Sequence, residues 1–201
     1  MKWFLLLFAF GLSGLAYWWS GSEIREDLAA RQAHKKLEQA VDAAPTAVLH
    51  QWLDHENPET RRLAAVRLAA ANDSLAQRVL VASLYPVVLF SAESGKAEWL
   101  IGPGVTVNQG RILGRVNGQD VVSPIPGILR KVYEPTGNEV KPGQRIADVA
   151  PREEAVVAVI EALGKIGKTS DAEELEEFAR SYPRLAEKAL AASQIIRSRR
   201  K

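Results

Sequence analysis

One stretch of this chain has the residue types of a phosphate-binding loop, Gly164-Lys165-Ile166-Gly167-Lys168-Thr169-Ser170. Such a loop needs a glycine where this chain has Ala162, and it follows a strand. The residues before this stretch have the apolar spacing of a helix instead. We therefore predict no nucleotide site, and we expect the lysines near a helix C-terminus, where positive charge is favoured.

Two histidines near carboxylates are the other residues that could do chemistry, because imidazole and carboxylate groups bind metals. His50 and His55 lie beside Asp54 and Glu56. The five-residue separation of the histidines crosses a predicted helix-to-turn boundary, which gives no fixed ligand geometry. We interpret these four residues as polar surface and predict no metal site.

No nucleophile has a suitable context. The chain has no cysteine, which excludes disulfides, thiolate ligands and thiol nucleophiles. Its serines form no Ser/His/Asp grouping with a nucleophile-elbow pattern. A net charge of +2 over 201 residues gives no argument for nucleic acid. We interpret the basic residues 197–201 as a solvated tail, with a contact to phosphate or anionic lipid as the alternative. The sequence therefore predicts no catalytic, cofactor-binding or metal residues, and a protein that is not an enzyme.

The element that dominates the chain is an internal repeat, in which residues 88–116 are echoed by residues 120–149 at an offset of 32 to 33. At an offset of 32, Leu89-Phe90-Ser91 and Gly95 match Val121-Val122-Ser123 and Gly127. At an offset of 33, Gly104, Val107, Gly110, Leu113, Gly114 and Val116 match, in the same order, Gly137, Val140, Gly143, Ile146, Ala147 and Val149. Short β-branched runs between glycine, proline and asparagine turns predict strands. Asn117-Gly118 at the join predicts a type I′ hairpin. We therefore predict a small barrel with an internal two-fold axis.

The second half of the repeat carries Pro124-Ile125-Pro126-Gly127 and, further on, Gly137-Asn138-Glu139-Val140-Lys141-Pro142-Gly143-Gln144-Arg145-Ile146. With this pattern, residues 86–149 resemble the biotinyl/lipoyl domain and the lipoyl-like domain of periplasmic adaptor (membrane fusion) proteins. In the enzymes of that family, a lysine at the hairpin tip carries biotin or lipoate. Here the tip is Asn117-Gly118, and the lysines of the module, Lys96, Lys131 and Lys141, fall elsewhere.

The resemblance therefore implies the rigid scaffold of the adaptor proteins, which packs against copies of itself or other envelope subunits, and no cofactor. The alternative is a biotin- or lipoyl-type carrier, or an enzyme-associated module, modified at an atypical lysine such as Lys131. An intact mass without an added group, from cells with active biotin and lipoate ligases, would exclude that alternative.

Helical patterns flank the β repeat, with apolar residues at three- and four-residue spacing. Residues 46–71, with the turn Asn57-Pro58-Glu59-Thr60-Arg61, are similar to HEAT-type helical repeats, and residues 155–179 resemble a second one. Because helical repeats need neighbours to bury their apolar faces, we predict that the β module is inserted into one short helical array.

The N-terminus has a charge-free run over residues 3–19, preceded by Lys2. As a helix it would be about 25 Å long at about 1.5 Å per residue, slightly short of a hydrocarbon core of about 30 Å. We predict an uncleaved membrane anchor, with a cleaved signal peptide as the alternative. Lys2 on the short side predicts a cytoplasmic N-terminus and the bulk of the chain outside.

Together these patterns predict an α+β fold with four regions: a signal-anchor or transmembrane helix (1–20), a HEAT-like helical region (21–85), a biotinyl/lipoyl-like β barrel-sandwich module (86–150) and a HEAT-like helical region with a basic tail (151–201). The predicted localisation is the bacterial inner membrane, single-pass, with the bulk periplasmic.

The predicted function is a non-enzymatic, membrane-anchored envelope scaffold or adaptor in a transport or secretion assembly. The predicted partners are other envelope proteins and the membrane through residues 3–19, with no nucleic acid; a homo-oligomer is left open. A cytoplasm-facing accessory protein with inverted anchor topology is a further hypothesis.

Overall fold

The computed structural model describes residues 28–199, and residues 1–27 and 200–201 lie outside the described part. The described chain begins in a helix, α1, which covers residues 28–43. The later helices are α2 Thr46–Trp52, α3 Pro58–Ala70, α4 Gln77–Ser83, α5 Glu153–Ile166, α6 Thr169–Ser181 and α7 Ala186–Ser198, with 3₁₀ turns at Ser74–Ala76 and Pro183–Leu185. Among the described residues, 28–36 belong to one unit, and residues 37–199 belong to a second, compact unit that holds all the features below.

Local side-chain chemistry explains how some of these helices begin and pack. Asn57 caps α3, because its Oδ1 accepts the backbone N–H groups of Glu59 at 2.8 Å and Thr60 at 3.3 Å. Gly164, the first residue of the phosphate-loop-like stretch, lies inside α5. A methyl group on Gly164 would be 3.5 Å from the Cβ atom of Ala192. The glycine therefore lies where α5 packs closely against α7.

One apolar core joins helices from both sides of the β repeat. Its largest fully buried side chains are Leu68, Leu80 and Leu84 before the repeat and Ile160, Leu163, Leu175 and Phe178 after it. The Phe178 ring stacks on Tyr182 with 4.4 Å between ring centroids and meets Tyr85 edge-on at 5.9 Å. The two sets of helices thus bury their apolar faces against each other, with the strands between them in the chain.

Eight strands lie between α4 and α5: β1 Val87–Phe90, β2 Gly95–Trp99, β3 Thr106–Val107, β4 Ile112–Val116, β5 Gln119–Val122, β6 Gly127–Val132, β7 Glu139–Val140 and β8 Arg145–Pro151. They form two antiparallel four-stranded sheets, with the order β1-β8-β6-β3 in sheet 1 and β5-β4-β2-β7 in sheet 2. The inner faces share buried side chains from both sheets, among them Val107, Leu113, Leu129, Val140, Ile146 and Val149. The two sheets therefore pack face to face as a sandwich.

The sandwich has an internal two-fold arrangement. If each strand of sheet 1 is replaced by the strand four places later in the chain, counting on from β8 to β1, the order of sheet 1 becomes the order of sheet 2. The hydrogen bonds repeat as well. The Ser91 N–H donates to the Gln144 carbonyl at 2.8 Å, and the Ser123 N–H donates to the Arg111 carbonyl at 2.8 Å. Each serine Oγ donates to the carbonyl two residues further on, at 2.6 and 2.7 Å. This is the arrangement that the sequence repeat predicts.

One residue departs from the two-fold arrangement. Between β6 and β8 the register passes from the pair Leu129–Val149 to the pair Lys131–Asp148, so that Arg130 is skipped in a β-bulge. The equivalent pair of strands, β2 and β4, has no such shift. The bulge accounts for the change in the repeat offset from 32 to 33, and it leaves Arg130 and Lys131 both exposed.

The sandwich joins the helices at one end and carries its hairpin tip at the other. β1 and β8 lie side by side at the joined end, where Val87 pairs with Val149. At the far end Gln119 Nε2 donates to Glu93 Oε1 at 2.6 Å, beyond the last residue of β1. The turn residues Asn117-Gly118 have φ angles of 52° and 80°. These angles confirm the predicted type I′ hairpin, at the end of the sandwich opposite the helical connections.

Two of the predictions are wrong. Neither four-stranded sheet closes into a barrel, so the barrel-sandwich is replaced by two open sheets packed face to face. The predicted anchor, residues 3–19, lies outside the described residues, and within residues 28–199 no helix is long and apolar enough to span a bilayer. The fold is corrected to α+β with seven helices and two four-stranded sheets in the described part, without an anchor helix there. The predicted single-pass inner-membrane localisation is corrected on the same finding.

Candidate functional site

The β4–β5 hairpin is where a swinging cofactor arm would need a lysine, and its tip is Asn117-Gly118. Lys96 lies on β2, and Lys141 lies in the turn after β7. Lys131 lies on β6, with its Nζ atom 4.5 Å from the centroid of the Tyr133 ring. None of the three lysines is part of the tip itself, although Lys96 lies beside it, because its backbone carbonyl accepts the Asn117 N–H at 3.3 Å.

The outer surface of sheet 1 carries a connected set of aromatic and charged side chains. We call it the arginine–tyrosine face, and it consists of Phe90, Lys131, Tyr133, Arg145 and Asp148. Phe90 on β1 is directly opposite Arg145 on β8, and Lys131 on β6 is directly opposite Asp148 on β8. Residues directly opposite each other in an antiparallel pair place their side chains on one face of the sheet. The five side chains therefore form one surface.

Asp148 organises this face. Its side chain is only 5% exposed, and its Oδ1 accepts a hydrogen bond from Arg145 Nε at 3.0 Å. Its Oδ2 accepts from Arg145 Nη2 at 2.6 Å and from the Tyr133 hydroxyl at 2.8 Å. Burial and the bond to Asp148 raise the pKa of Tyr133, and the bond to Asp148 raises the pKa of Arg145. At neutral pH the phenol therefore keeps its proton and donates it to a charge-assisted bond.

Arg145 is held on two sides. Its guanidinium carbon is 4.3 Å from the centroid of the Tyr133 ring, which is a cation–π contact. Its Nε and Nη2 atoms both donate to Asp148, whereas its Nη1 atom has no hydrogen-bond partner among residues 28–199. The guanidinium is therefore fixed in position with one nitrogen left for another acceptor.

A β-bulge is what brings Arg145 and Asp148 to the same face. In a regular strand, residues three apart point to opposite faces. Along β8 the pairing with β1 skips Ile146 between Ala147 and Arg145. Because the bulge adds one residue on the inner side, Arg145 and Asp148 share the outer side.

The two-fold arrangement provides an internal reference for this face. On sheet 2 the positions equivalent to Phe90, Lys131, Arg145 and Asp148 hold Val122, Glu98, Ile112 and Arg115. Some inner positions keep the same residue in both halves, as Val107 and Val140 do, whereas Ala97 in one half is equivalent to Leu129 in the other. The arginine–tyrosine face therefore has no counterpart of the same chemistry on sheet 2.

Phe90 is an exposed aromatic side chain beside a fixed arginine. It is 59% exposed, while its counterpart Val122 is 46% exposed. Both line a groove of about 200 Å³ between the edges of β1 and β5. Aromatic residues and arginine are enriched at the centres of protein–protein interfaces, and the combination of Phe90 and Arg145 has this composition.

Comparison with known proteins identifies no family for this chain. No family model and no curated protein matches it.

A second concave region is a cleft of about 410 Å³ between the helices and the sandwich. Its lining includes Glu59 and Arg62, which are 2% and 8% exposed. Arg62 Nε donates to Glu59 Oε2 at 3.0 Å, and Arg62 Nη2 donates to Oε1 at 2.5 Å. Since each buried charge has the other as a partner, we assign this pair a structural role.

The structure gives the two predicted polar histidines separate partners. His50 Nε2 and Asp73 Oδ2 form a hydrogen bond of 2.6 Å, and this bond lowers the pKa of Asp73. His55 Nδ1 accepts the backbone N–H of Asn57 at 3.0 Å. In the part of the chain that the structure describes, no three His, Asp or Glu side chains are grouped to hold a metal ion.

The phosphate-loop-like stretch is divided between two helices. Gly164 and Lys165 lie within α5, and α6 begins at Thr169. At the start of α6, the Asp171 carboxylate accepts the backbone N–H of Lys168 at 2.7 Å. A carboxylate of the chain itself thus takes the place that a bound anion would occupy.

Sequence reasoning did not identify the arginine–tyrosine face. Arg145 and Asp148 have a spacing that a regular strand would split between its two faces, and the bulge that unites them has no motif. The signal that was present is the mismatch between the two halves of the repeat at their outer positions, such as Arg145 against Ile112.

Proposed function

We propose that this chain is a non-enzymatic scaffold or adaptor that binds another protein through its β sandwich, with the helices as support. The observation that carries the proposal is Arg145, which Asp148 holds over the Tyr133 ring beside the exposed Phe90. A side chain that is already ordered loses little conformational freedom on binding. The bidentate bond to Asp148 orders Arg145 in the free protein, as a binding residue at the centre of an interface requires.

The resemblance of residues 86–149 to adaptor lipoyl-like domains supports the same function. In adaptor proteins that module serves as a rigid packing surface. The two-residue hairpin Asn117-Gly118 in place of a lysine tip is consistent with a surface role.

In-cell photo-crosslinking of the full-length chain tests this function. A photoreactive phenylalanine analogue replaces Phe90, and in a matched variant it replaces Leu100, which is 57% exposed and does not line the groove beside Phe90. We expect a discrete adduct with another protein from position 90. We also expect that Arg145→Gln reduces this adduct by about fivefold or more, which corresponds to about 1 kcal/mol of binding free energy. The proposal fails if position 90 gives no adduct, or if the adduct is equally strong from position 100 and insensitive to Arg145→Gln.

A further inference from the structure

We infer that the arginine–tyrosine face binds an acidic segment of the partner, which presents carboxylates and apolar side chains on the same side. This inference rests on the proposed function, because it names the chemistry of the partner that docks on the same face.

Cationic groups dominate the solvent side of this face. Lys131 and Arg145 extend over the tyrosine ring. The one carboxylate of the face, Asp148, is buried and forms an ion pair with Arg145. Glu134, outside the face, accepts hydrogen bonds from two neutral amide side chains at 2.9 and 3.3 Å. The two cations and one carboxylate of the face leave a net positive charge for a partner to meet.

Two features of the face would each accept a carboxylate. Arg145 Nη1 has no hydrogen-bond partner in the described chain, and Lys131 takes part in no ion pair among the described residues. Hydrogen bonds between a guanidinium or ammonium and a carboxylate are the stronger class, because both groups are charged.

An apolar contact lies directly beside the carboxylate-accepting groups. Phe90 is the cross-strand neighbour of Arg145, and opposed side chains in antiparallel strands are about 4.5–5.5 Å apart at Cβ. With 59% of its surface exposed, Phe90 can bury apolar area against a partner. A segment that presents carboxylates and apolar side chains on one face fits both neighbours at once.

The same face is poorly suited to a nucleic acid. Single-stranded nucleic acids bind where an aromatic ring offers a free surface for base stacking and a groove of cations follows the backbone. Here Arg145 and Lys131 already contact the Tyr133 ring, at 4.3 and 4.5 Å from its centroid. A protein segment is therefore the occupant that the chemistry favours.

Fluorescence anisotropy with the full-length protein and a defined peptide tests the inference. The probe is a short fluorescein-labelled peptide that repeats Asp-Asp-Leu-Leu, so that an extended chain has both residue types on each side, and the reference peptides replace either aspartate by lysine or leucine by serine. We expect saturable binding of the aspartate–leucine peptide alone, weakening as salt is added. We expect Lys131→Glu, Arg145→Gln and Phe90→Ser each to raise its Kd about tenfold, equivalent to about 1.4 kcal/mol.

The other sheet provides matched controls. Arg115 is 46% exposed and paired with Asp120, while Arg145 is 45% exposed and paired with Asp148. Arg115→Gln and Leu100→Ser should change the Kd by less than about twofold. Lys131→Glu alters an exposed side chain outside the Asp148 hydrogen bonds, so it tests the charge even if Arg145→Gln unfolds the sheet.

The inference is overturned if the lysine peptide binds as well as the aspartate peptide, or if Arg115→Gln weakens binding as much as Arg145→Gln. Tighter binding of a single-stranded oligonucleotide would also overturn it. So would self-association abolished by Lys131→Glu, since the face would then be occupied by a second copy. If the crosslink from position 90 depends on Arg145 and the acidic peptide still fails to bind, the docking function stands and only the acidic partner is wrong.

Discussion

Arg130 donates a hydrogen bond from Nη1 to the hydroxyl of Tyr182 at 2.9 Å, and its guanidinium carbon is 5.5 Å from the centroid of that ring. Arg130 is also the residue that β6 skips in its bulge, and the first half of the repeat has no counterpart for it. The residue that interrupts the two-fold arrangement of the sandwich is thus the one that reaches the turn between α6 and α7. The bulge shifts the register and directs a cation at the helices.

Substitutions of Arg130 and Tyr182 should therefore be coupled. We expect a coupling free energy of about 0.5–1 kcal/mol between Arg130→Ala and Tyr182→Phe in a double-mutant cycle, measured by urea denaturation. Arg115→Ala, on the other sheet, should combine additively with Tyr182→Phe. A coupling for Arg130 no larger than that for Arg115 would show that the contact contributes nothing to stability.

The buried pair of Glu59 and Arg62 should be far more costly to break than an exposed pair with the same spacing. Arg62→Met removes the ion-pair partner of a carboxylate that is 2% exposed, and we expect a loss of about 3–5 kcal/mol in unfolding free energy. The control is Arg180→Met, whose partner Glu177 is also three residues away but whose pair is 69% and 61% exposed. That substitution should cost less than about 1 kcal/mol. Equal losses from the two substitutions would contradict the structural role assigned to the buried pair.

Gly127 should not tolerate a side chain. A methyl group there would be 2.1 Å from the Ala150 carbonyl oxygen on the neighbouring strand, so we expect Gly127→Ala to lower the unfolding free energy by about 2–3 kcal/mol. The equivalent Gly95 would place a methyl 2.6 Å from the Asn117 Cβ and should behave alike. Gly102 has open space around it, and Gly102→Ala should change the stability by less than about 0.5 kcal/mol. Thermal unfolding of the three variants ranks them directly, and a tolerant Gly127 would refute the close approach of β6 and β8.

The contact of His50 with Asp73 should make stability depend on pH. The hydrogen bond from His50 lowers the pKa of Asp73 in the folded chain, so it stabilises the fold above the unfolded pKa of about 3.9 and is lost as the pH falls through the folded pKa. Asp73→Asn should cost about 0.5–1 kcal/mol at neutral pH, and the difference should shrink below about pH 4. Asparagine keeps the cap that Asp73 provides to the Leu75 N–H.

The matched control is Asp54→Asn, at an ion pair with Arg78 in which the side chains are 79% and 83% exposed. Its effect should stay below about 0.5 kcal/mol at every pH. Urea denaturation across the acidic range measures both variants. A cost for Asp73→Asn that is the same at pH 3 and pH 7 would show that its charge plays no part.

Turn chemistry made part of the fold predictable. The serines and glycines repeated at a fixed offset are enough to predict the two-fold strand arrangement, and Asn117-Gly118 is enough to predict the hairpin. The prediction of a closed barrel was wrong. Closure would require hydrogen bonds between the edge strands of the two sheets, such as β1 and β5. In the structure β1 pairs with β8 alone and β5 with β4 alone.

The candidate site could not be predicted from local sequence patterns. Tyr133 and Asp148 meet across two strands, and Arg130 and Tyr182 are 52 positions apart in the chain. Each contact also depends on a bulge, and a bulge changes which side chains share a face without leaving a motif in the sequence. Only the comparison of one half of the repeat with the other could have drawn attention to Arg145.

The pairing of Val87 with Val149 has a further consequence. The chain enters the sandwich through β1 and leaves it through β8, and these neighbouring strands are about 5 Å apart. A tight turn can close a gap of this size. The helices therefore need not move to accommodate the sandwich, and a short glycine linker could replace everything from Pro86 to Pro151. By the same reasoning, the sandwich could be inserted as a unit into a surface loop of another helical protein with its outer faces unchanged.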